Sequence, residues 1–441
     1  MKYIKRTHEE RIFKAFETQS ITCILGPRRV GKSTLINHYL DKYHEDADVV
    51  RLNMDRMSER EQIKSGALEK IILNHIQRHF EPNKQVWVMI DEAQKCPEVF
   101  DQVKILYDTY KDQGAIKFIL TGSALLELHR LSAESLAGRI QLFYLSAFNL
   151  AEAMRLKHNI SIPGNIFNLV EAETQKEQDW ADYFHELSPY IDVLKETLLD
   201  LQLWGGLPEV LMQPDVPSKL EYLGNYLQTY LEKDVRAVES ITDLTLYRNI
   251  LDVVAEQTGS IRDDSRIIKA LGCHRETLRK YRGYLEATLM YQDVHPYINS
   301  TLRRLVKSPK GYLVNNGLIS FISGLYDLNV LAKTGQMGHR LENWFLNELQ
   351  VWLNKTPGKH DVNYWRTTSG TEVDFIVKRP PQVFPFEVTC SQSIELKKIR
   401  NLLAFREYEA KTNYAYYIHM GEFKFDAVKK IIFIPAWGVL V

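Results

Sequence analysis

The stretch that most constrains this chain is a glycine-rich turn between two apolar segments, within residues 21–37. A β-branched run, ITCIL, precedes the turn, and an apolar-periodic run, TLINHYL, follows it. The turn reads GPRRVGKS from Gly26 to Ser33, which is the P-loop pattern in the strand–loop–helix context that gives it meaning. The alternative is a chance glycine turn, and the four fixed positions and correct flanks argue against it. The stretch therefore predicts a binding site for a nucleoside triphosphate.

The residue types of the loop match the chemistry of phosphate binding. Gly26 and Gly31 allow a tight backbone turn whose N–H groups face the phosphates, at the positive end of the helix that follows. We expect Lys32 to reach the β- and γ-phosphates and the Ser33 hydroxyl to bind Mg²⁺. The predicted nucleotide-contacting residues are Gly26, Pro27, Arg28, Arg29, Val30, Gly31, Lys32, Ser33 and Thr34.

A second apolar run, VWVMI, is followed directly by the two carboxylates Asp91 and Glu92. A run without polar alternation is typical of a parallel strand that is buried on both faces. We expect Asp91, at the strand tip, to hold Mg²⁺ together with Ser33. Glu92 is then placed to orient and polarise the attacking water. The alternative interpretation is a solvated acidic turn.

A third apolar run, KFILTGS, brings hydroxyl groups to the same edge of the predicted sheet. Thr121 or Ser123 could sense the γ-phosphate there, and an N-cap of a following helix by Ser123 is an equally weighted alternative. Arg139 follows the sequence Leu-Ala-Gly. We favour, by a small margin over a surface arginine, an arginine finger that reaches the γ-phosphate in a neighbouring subunit. A finger requires a neighbour, so this interpretation predicts a homo-oligomer.

Together these motifs resemble a prokaryotic AAA+ family of predicted ATPases found in bacteria and archaea. The resemblance rests on GPRRVGKS, on the strand ending in DEAQ, on LTGS at 120–123, and on LAGR at 136–139 with LSAF at 145–148. WGGLP at 204–208 and YLEKDV at 230–235 are similar to the linker region of that family. The resemblance covers most of the chain and implies a nuclease-like C-terminal domain. It also implies ATP in place of GTP, since the chain has no Asn-Lys-x-Asp guanine motif.

We place the predicted ATPase core at residues 1–155. After it, apolar residues recur at the spacing of a helix. Residues 156–240 are predicted to form a linker and a helical lid. Arg236 could contact the nucleotide from this lid, although a helix-surface charge is the favoured interpretation.

A candidate DNA-binding segment lies at residues 241–325. Within it, residues 264–286 are predicted to form a helix, a glycine-containing turn and a second helix, which is the pattern of a helix-turn-helix motif. Leu278, Tyr281 and Leu285 should pack inward. The basic residues expected on the exposed side, where they suit phosphate contact, are His274, Arg275, Arg279, Lys280 and Arg282. A basic wing hairpin is expected from residues 289–294 and 300–306, and the residues that make it basic are Arg303, Arg304, Lys307 and Lys310. The alternative is a winged-helix module that only packs against protein.

Residues 326–441 show a helix, three strands, a helix and a strand, an order that resembles the PD-(D/E)xK restriction-endonuclease-like fold. By this resemblance Glu342, Asp374 and Glu387 match the three acids, and Thr389 occupies the place of the lysine. A hydroxyl cannot supply the charge of a lysine, so we favour a degenerate nuclease that is kept for packing or DNA docking. A migrated lysine such as Lys397 could instead rescue cleavage, or the acids could be unrelated surface charges.

Composition sets further limits. Lys+Arg and Asp+Glu each number 56, so any affinity for DNA must come from local patches. Four cysteines lie far apart without a Cys-x-x-Cys pair, which fits a reducing compartment. No uncharged apolar run is long enough to span a bilayer, and we expect a soluble, cytoplasmic protein without a membrane partner.

The sequence thus predicts an α/β protein with an AAA+ P-loop parallel sheet, a helical lid, a winged-helix module and a restriction-endonuclease-like domain. We expect an ATP- and Mg²⁺-dependent hydrolase that acts on DNA as a motor or remodeller. A nucleotide-dependent switch that controls a protein assembly and an ATP-regulated, Mg²⁺-dependent nuclease are the alternatives. DNA-stimulated ATP turnover would favour the first of these functions.

Overall fold

The computed structural model describes residues 3–81, 84–123, 136–162, 164–235, 241–298, 307–355 and 361–441. The chain divides into two compact units: Met1–Ser146 with Glu286–Leu289, and Ala147–Leu285 with Met290–Val441. Three residues singled out from the sequence lie outside the described residues, together with the predicted wing strand at 300–306. They are Arg236, Arg303 and Arg304.

The N-terminal unit contains a five-stranded parallel sheet in the order β2-β3-β4-β1-β5. Its strands are β1 Ile21–Leu25, β2 Asp48–Asn53, β3 Val86–Asp91, β4 Ile116–Gly122 and β5 Ile140–Tyr144. Its helices are α1 Glu9–Thr18, α2 Lys32–Tyr43, α3 Met57–Lys64, α4 Leu68–Ile76 and α5 Glu98–Tyr110.

The central strands of this sheet are almost entirely buried. Every residue of β1 and β4 is buried, and only the last residue of β3 is partly accessible. The sequence expectation of buried, parallel strands is confirmed, because an apolar strand without polar alternation needs cover on both faces. Parallel pairing brings the ends of β1 and β4 level, since Leu25 pairs with Gly122. The carboxyl edge of the sheet therefore collects the residues that follow these strands.

After residue 146 the described chain begins with a largely helical region. Its helices are α6 Leu150–His158, α7 Ile166–Glu171, α8 Glu177–Leu187, α9 Ile191–Trp204, α10 Pro208–Leu211, α11 Val216–Thr229, α12 Leu244–Glu256, α13 Asp264–Leu271 and α14 Arg275–Ala287. A π-helical turn, Tyr230–Val235, follows α11. Gly272 ends α13 in the left-handed conformation with φ 62°, so the predicted helix, glycine turn and helix are present.

A mixed eight-stranded sheet follows, with the order β12-β13-β11-β10-β9-β8-β6-β7. Its strands are β6 Tyr291–Pro296, β7 Lys310–Leu313, β8 Asp361–Arg366, β9 Glu372–Arg379, β10 Gln382–Val388, β11 Ala415–His419, β12 Lys424–Asp426 and β13 Ile431–Pro435. The accompanying helices are α15 Asn316–Ser323, α16 Leu328–Lys333, α17 Gln336–Asn354 and α18 Leu396–Tyr408.

The C-terminal elements follow one another in the order expected from the sequence, from α17 through β8, β9, β10 and α18 to β11. Two further strands, β12 and β13, extend the sheet beyond that order. The β6–β7 hairpin does not stand apart from these strands, because β6 pairs in parallel with β8. None of the helices in the described part of the chain is long and apolar enough to cross a membrane.

Candidate functional site

Two backbone positions of the P-loop require glycine. A Cβ atom on Gly26 would lie 2.1 Å from the carbonyl oxygen of Leu145, which is a backbone clash that no side-chain adjustment relieves. Gly31 has φ 98°, a left-handed conformation that L-residues rarely adopt, and α2 begins at the next residue. The loop is therefore folded in a conformation that the two motif glycines make accessible.

Lys32 is buried beneath this loop, with 6% of its surface exposed. Its ammonium donates hydrogen bonds to the carbonyl oxygens of Gly26 and Pro27, both at 2.9 Å. Burial lowers the pKa of Lys32 from its ordinary value, and the nearby carboxylates of Glu92 and Asp91 oppose that shift. The ammonium thus lies inside the loop, next to the backbone that would surround bound phosphates.

Ser33 and Asp91 come together, although 58 residues separate them in the chain. The Ser33 Oγ donates to Asp91 Oδ1 at 3.0 Å and lies 3.1 Å from Oδ2. Thr121 Oγ1, from the adjacent strand β4, also donates to Asp91 Oδ1. Hydroxyl and carboxylate oxygens are the ligands that Mg²⁺ prefers, so the donor set present here fits the ion predicted from the sequence.

Glu92 sits one residue beyond the strand tip in a left-handed backbone conformation with φ 52°. Its N–H donates to Thr121 Oγ1 at 3.0 Å. Its carboxylate accepts hydrogen bonds from Ser123 Oγ at 2.8 Å and from Gln94 Nε2 at 2.6 Å. Burial by itself would raise the pKa of Glu92, but Lys32 and these two donors outweigh it and lower the pKa. The side chain is therefore held ionised and in a fixed orientation.

Gln94 is a member of this site that residue-by-residue reasoning missed. Its amide nitrogen contacts both Glu92 and, at 3.2 Å, the hydroxyl of Ser123. The signal was present in the DEAQ string, which served only to support a family resemblance. Ser123 contacts the carboxylate of Glu92, whereas its alternative role as a helix N-cap concerns residues 124–135, which lie outside the described residues.

Arg6 is a second missed residue, and it braces the P-loop from the N-terminal segment. Its guanidinium donates to the carbonyl oxygen of Val30 at 2.7 Å and to that of Ser146 at 2.7 Å. The side chain is buried, so these hydrogen bonds are made away from water and fix the loop more firmly. A single arginine before an amphipathic helix carries no sequence pattern that would reveal this role.

Arg139, the predicted arginine finger, forms a surface ion pair within its own chain. Its Nε and Nη2 atoms lie 3.0 Å and 3.2 Å from the two carboxylate oxygens of Asp108. The guanidinium also lies over the ring of Tyr107, at 5.9 Å from its centroid. A role in a neighbouring subunit stays a prediction, and it would require this two-point pair to open.

The predicted DNA-binding helix corresponds to α14. Leu278, Tyr281 and Leu285 are buried, as expected. Four of the predicted basic residues, His274, Arg275, Arg279 and Lys280, are exposed on this helix or at its start, and so is the acidic Glu276.

Arg282 does not lie on that exposed side, so its predicted placement is wrong. Only 2% of its surface is exposed, and its Nη1 atom lies 2.6 Å from Asp264 Oδ1. The helical period explains the error, because positions 278, 281, 282 and 285 share one face of α14.

Lys310, predicted to make the wing basic, is also buried, with 3% of its surface exposed. It begins β7, and its Nζ lies 2.5 Å from Glu372 Oε1 and 3.4 Å from Asp374 Oδ1. The expectation that it faces solvent or DNA is therefore wrong, because strand pairing turns it towards the acids of β9. Lys307, three residues earlier, is exposed.

Two of the three acids of the predicted nuclease remnant lie together in a buried cluster with a lysine. Asp374 and Glu387 are buried and share one lysine, Lys398, which argues against the alternative that they are unrelated surface charges. Burial, and then the Asp374 carboxylate, raise the pKa of Glu342 to about 8. Burial would also raise the pKa of Asp374, yet Lys398 and Lys310 hold it below its ordinary value. Among the described residues, no group of three or more His, Cys, Asp or Glu side chains is arranged to hold a metal ion.

The lysine of this cluster is Lys398, whereas the suggested candidate Lys397 is exposed. The two residues are adjacent in sequence, so only the orientation of α18 distinguishes them. Thr389, at the position of the missing lysine, donates a hydrogen bond to Glu395 Oε1 at 2.6 Å.

Comparison with known protein families assigns the N-terminal part of the chain. Residues 18–154 match a family model described as an AAA domain. Residues 195–329 and 337–437 match two families described only as domains of unknown function, DUF8612 and DUF4143. Residues 18–154 are therefore similar to AAA domains, and the matched range includes the loop, both carboxylates and the hydroxyls described above.

Two relatives that match nearly all of this chain are described as uncharacterized proteins. One from Mycobacterium tuberculosis is 22% identical over 99% of this chain and 84% of its own length. Another, from Haemophilus influenzae, is 20% identical over 98% of each chain. Among solved structures, the Aeropyrum pernix ORC1 protein in complex with DNA is 12% identical, with coverage of 75% of this chain and 95% of that one, at a TM-score of 0.31. A TM-score this low carries no argument about fold or function.

Proposed function

We propose that this chain binds ATP together with Mg²⁺ and hydrolyses the terminal phosphate at the carboxyl edge of its parallel sheet. The observation that carries this proposal is the hydrogen bond from Ser33 to both oxygens of Asp91, which joins the P-loop helix to the tip of β3. Lys32 and Glu92 lie beside that pair with complementary charges. These side chains supply the cation, the metal ligands and the carboxylate that the reaction needs.

Each side chain has a distinct role in the proposed reaction. The ammonium of Lys32, which now donates to loop carbonyls, would donate to the β- and γ-phosphate oxygens. Ser33 and Asp91 would hold Mg²⁺, which supplies neutralisation of the charge that develops on those oxygens. Glu92 would orient the attacking water and accept its proton. Ser123 and Gln94 are positioning residues, because they fix the carboxylate of Glu92.

Substitution of Glu92 separates nucleotide binding from hydrolysis. Glu92→Gln should bind ATP with nearly unchanged affinity, while turnover falls by about 10²–10⁴-fold, the usual contribution of a positioned base. Equilibrium ATP binding and phosphate release would be measured on the same preparation. Glu45→Gln, an exposed glutamate of the same unit, is the matched control and should leave both unchanged. Turnover retained in Glu92→Gln would refute the assigned role.

We further propose that DNA is a partner of this chain and that the exposed basic face of α14 contacts its phosphates. Support comes from the four exposed residues at His274, Arg275, Arg279 and Lys280, which lie around the start of a helix that follows a left-handed glycine turn. Phosphate contacts of this kind give affinity without sequence preference. In this interpretation α12, α13 and α14, with the β6–β7 hairpin, act as a winged-helix module.

The DNA contact is testable by salt-dependent titration. The double variant Arg275→Ala/Arg279→Ala should weaken duplex binding and reduce the slope of log affinity against log salt by about 2, one unit for each lost phosphate contact. Fluorescence polarisation at several salt concentrations measures both quantities. Lys397→Ala removes an exposed charge from α18 and should leave the slope unchanged. Unchanged affinity in the double variant would exclude this helix as the contact surface.

A nucleotide-dependent switch that controls an assembly is the second candidate, favoured by the position of Arg139. This arginine is accessible, and its pair with Asp108 can open without loss of a buried contact. In this proposal the residue completes the nucleotide site of a neighbouring copy, so the homo-oligomer depends on ATP. Mass measurement with and without ATP distinguishes the candidates. Assembly that needs ATP, together with turnover indifferent to DNA, favours the switch.

A further inference from the structure

The ammonium of Lys398 donates hydrogen bonds to three oxygen atoms of the C-terminal region. Its Nζ lies 2.8 Å from Glu387 Oε2, 3.0 Å from Asp374 Oδ2 and 2.8 Å from the backbone carbonyl oxygen of Val388. A lysine ammonium has three N–H donors and no acceptor, so each donor has one oxygen partner here. The ammonium is thus fully satisfied by two carboxylates and one carbonyl.

The remaining oxygens of both carboxylates are also engaged. Asp374 Oδ1 lies 3.4 Å from the ammonium of Lys310, and Oδ2 also accepts the N–H of Val388 at 3.0 Å. Glu387 Oε1 accepts a hydrogen bond from Asn401 Nδ2 at 3.1 Å. The acids therefore have all four carboxylate oxygens in contact with donors of the chain itself.

The beginning of α18 is held in the orientation that aims Lys398 at these acids. Thr389 Oγ1, just after β10, donates to Glu395 Oε1, and the N–H of Glu395 donates to the hydroxyl of Tyr417 at 3.1 Å. Glu395 is the residue immediately before the helix, and Lys398 lies in its first turn. A cation in the first turn opposes the helix dipole, so this placement needs the compensating carboxylates.

The oxygen set around Lys398 is of the kind that divalent cations prefer. Carboxylate and backbone carbonyl oxygens are the usual ligands of Mg²⁺, Mn²⁺ and Ca²⁺ in proteins. The resemblance of this region to a metal-dependent nuclease implies such an ion at Asp374 and Glu387. The residues present do not fit one, because a protonated side chain occupies the point where the three oxygens converge.

We propose that the ammonium group of Lys398 takes the place of a divalent cation in the C-terminal domain. It occupies a site whose oxygen atoms would otherwise bind a metal ion. The site binds Mn²⁺ or Mg²⁺ only when that ammonium is removed. Thr389 then has a structural purpose, since it orients the helix that carries the substitute cation. The inference is independent of ATP hydrolysis, which uses different residues in the other unit.

Mn²⁺ binding to the full-length, nucleotide-free chain tests this proposal, with the unbound ion counted by electron paramagnetic resonance. Lys398→Met should gain one saturable Mn²⁺ equivalent, and Lys398→Met/Asp374→Asn should lose it again. Lys397→Met, which removes the exposed neighbouring lysine, is the matched control and should behave as the wild type. The nucleotide site is unaltered in all variants and contributes the same background.

Two results would overturn the proposal. The first is a Mn²⁺ equivalent in the wild-type chain that Asp374→Asn removes, because the ammonium would then not exclude the ion. The second is Lys398→Met that folds, as judged by circular dichroism, yet binds no more Mn²⁺ than the wild type. If Lys398→Met fails to fold, the comparison of wild type with Asp374→Asn still decides. The proposal requires these two chains to bind equal amounts of Mn²⁺.

Discussion

Glu342 should make the stability of the C-terminal domain depend on pH. Its carboxyl lies within α17, with Tyr312 Oη 3.4 Å from its Oε2 atom. Burial, followed by the charge of Asp374, raises the pKa of Glu342 from 4.5 to about 8, although Lys310 and Lys398 act in the opposite direction. Between pH 4.5 and 8 the folded domain therefore holds a proton that the unfolded chain has released.

The sign of the effect follows from that proton. Where the folded state binds more protons than the unfolded state, stability falls as pH rises, by about 1.4 kcal/mol per pH unit. The contribution of Glu342 is fully present below pH 4.5 and is lost progressively as the pH approaches 8. Between pH 5 and pH 7.5 the loss amounts to about 3 kcal/mol for this one group.

Glu342→Gln should remove this dependence. Glutamine keeps the size of the side chain and an oxygen that can accept a hydrogen bond from Tyr312, but it has no proton to lose in this range. The difference in unfolding free energy between the variant and the wild type should therefore shift in favour of the variant by about 3 kcal/mol from pH 5 to pH 7.5. A gain in unfolding free energy of this size from the substitution of a carboxyl by an amide is unusual, since most point substitutions destabilise a protein.

Hydrogen–deuterium exchange of the α17 and β9 amides is the appropriate measurement. A chain with two compact units does not unfold as one two-state system, whereas exchange reports the opening of each segment separately. Glu407→Gln, an exposed glutamate on α18, is the matched control and should keep the wild-type slope. An identical pH slope in wild type and Glu342→Gln would refute the assignment of a neutral buried carboxyl.

Three further predictions concern other parts of the chain. Ser123→Ala removes one donor from Glu92 and should slow ATP turnover about tenfold, with ATP affinity in equilibrium binding little changed. Gly26→Ala places a Cβ atom 2.1 Å from a backbone oxygen, so the unfolding free energy should fall by about 1–3 kcal/mol and ATP binding should weaken. Thermal shift with and without ATP measures both effects. Arg282→Met should destabilise α14 by about 1 kcal/mol in hydrogen exchange, because it removes the buried guanidinium that pairs with Asp264, while Asp264 keeps its pair with Arg262. Unchanged values in these assays would contradict each argument.

The geometry of the candidate nucleotide site was largely predictable from the sequence. Its parts are local motifs at strand ends, and parallel strands bring their carboxyl ends to one edge whatever lies between them. Asp91 and Ser33 could therefore be assigned to one site across 58 residues, and their side chains do meet. The order of helices and strands in the C-terminal region was readable for a similar reason, because apolar runs and their boundaries are local.

The positions of isolated charges were decided only by the tertiary structure. Arg282 and Lys310 read as surface cations, yet α14 buries the first and the β6–β7 pairing turns the second towards an acid 64 residues away. Lys397 and Lys398 are neighbours in sequence, and the rotation of one helix sends only the second into the acid cluster. A lone charged residue carries no periodic pattern, so its partner is fixed by the packing of elements distant in the chain.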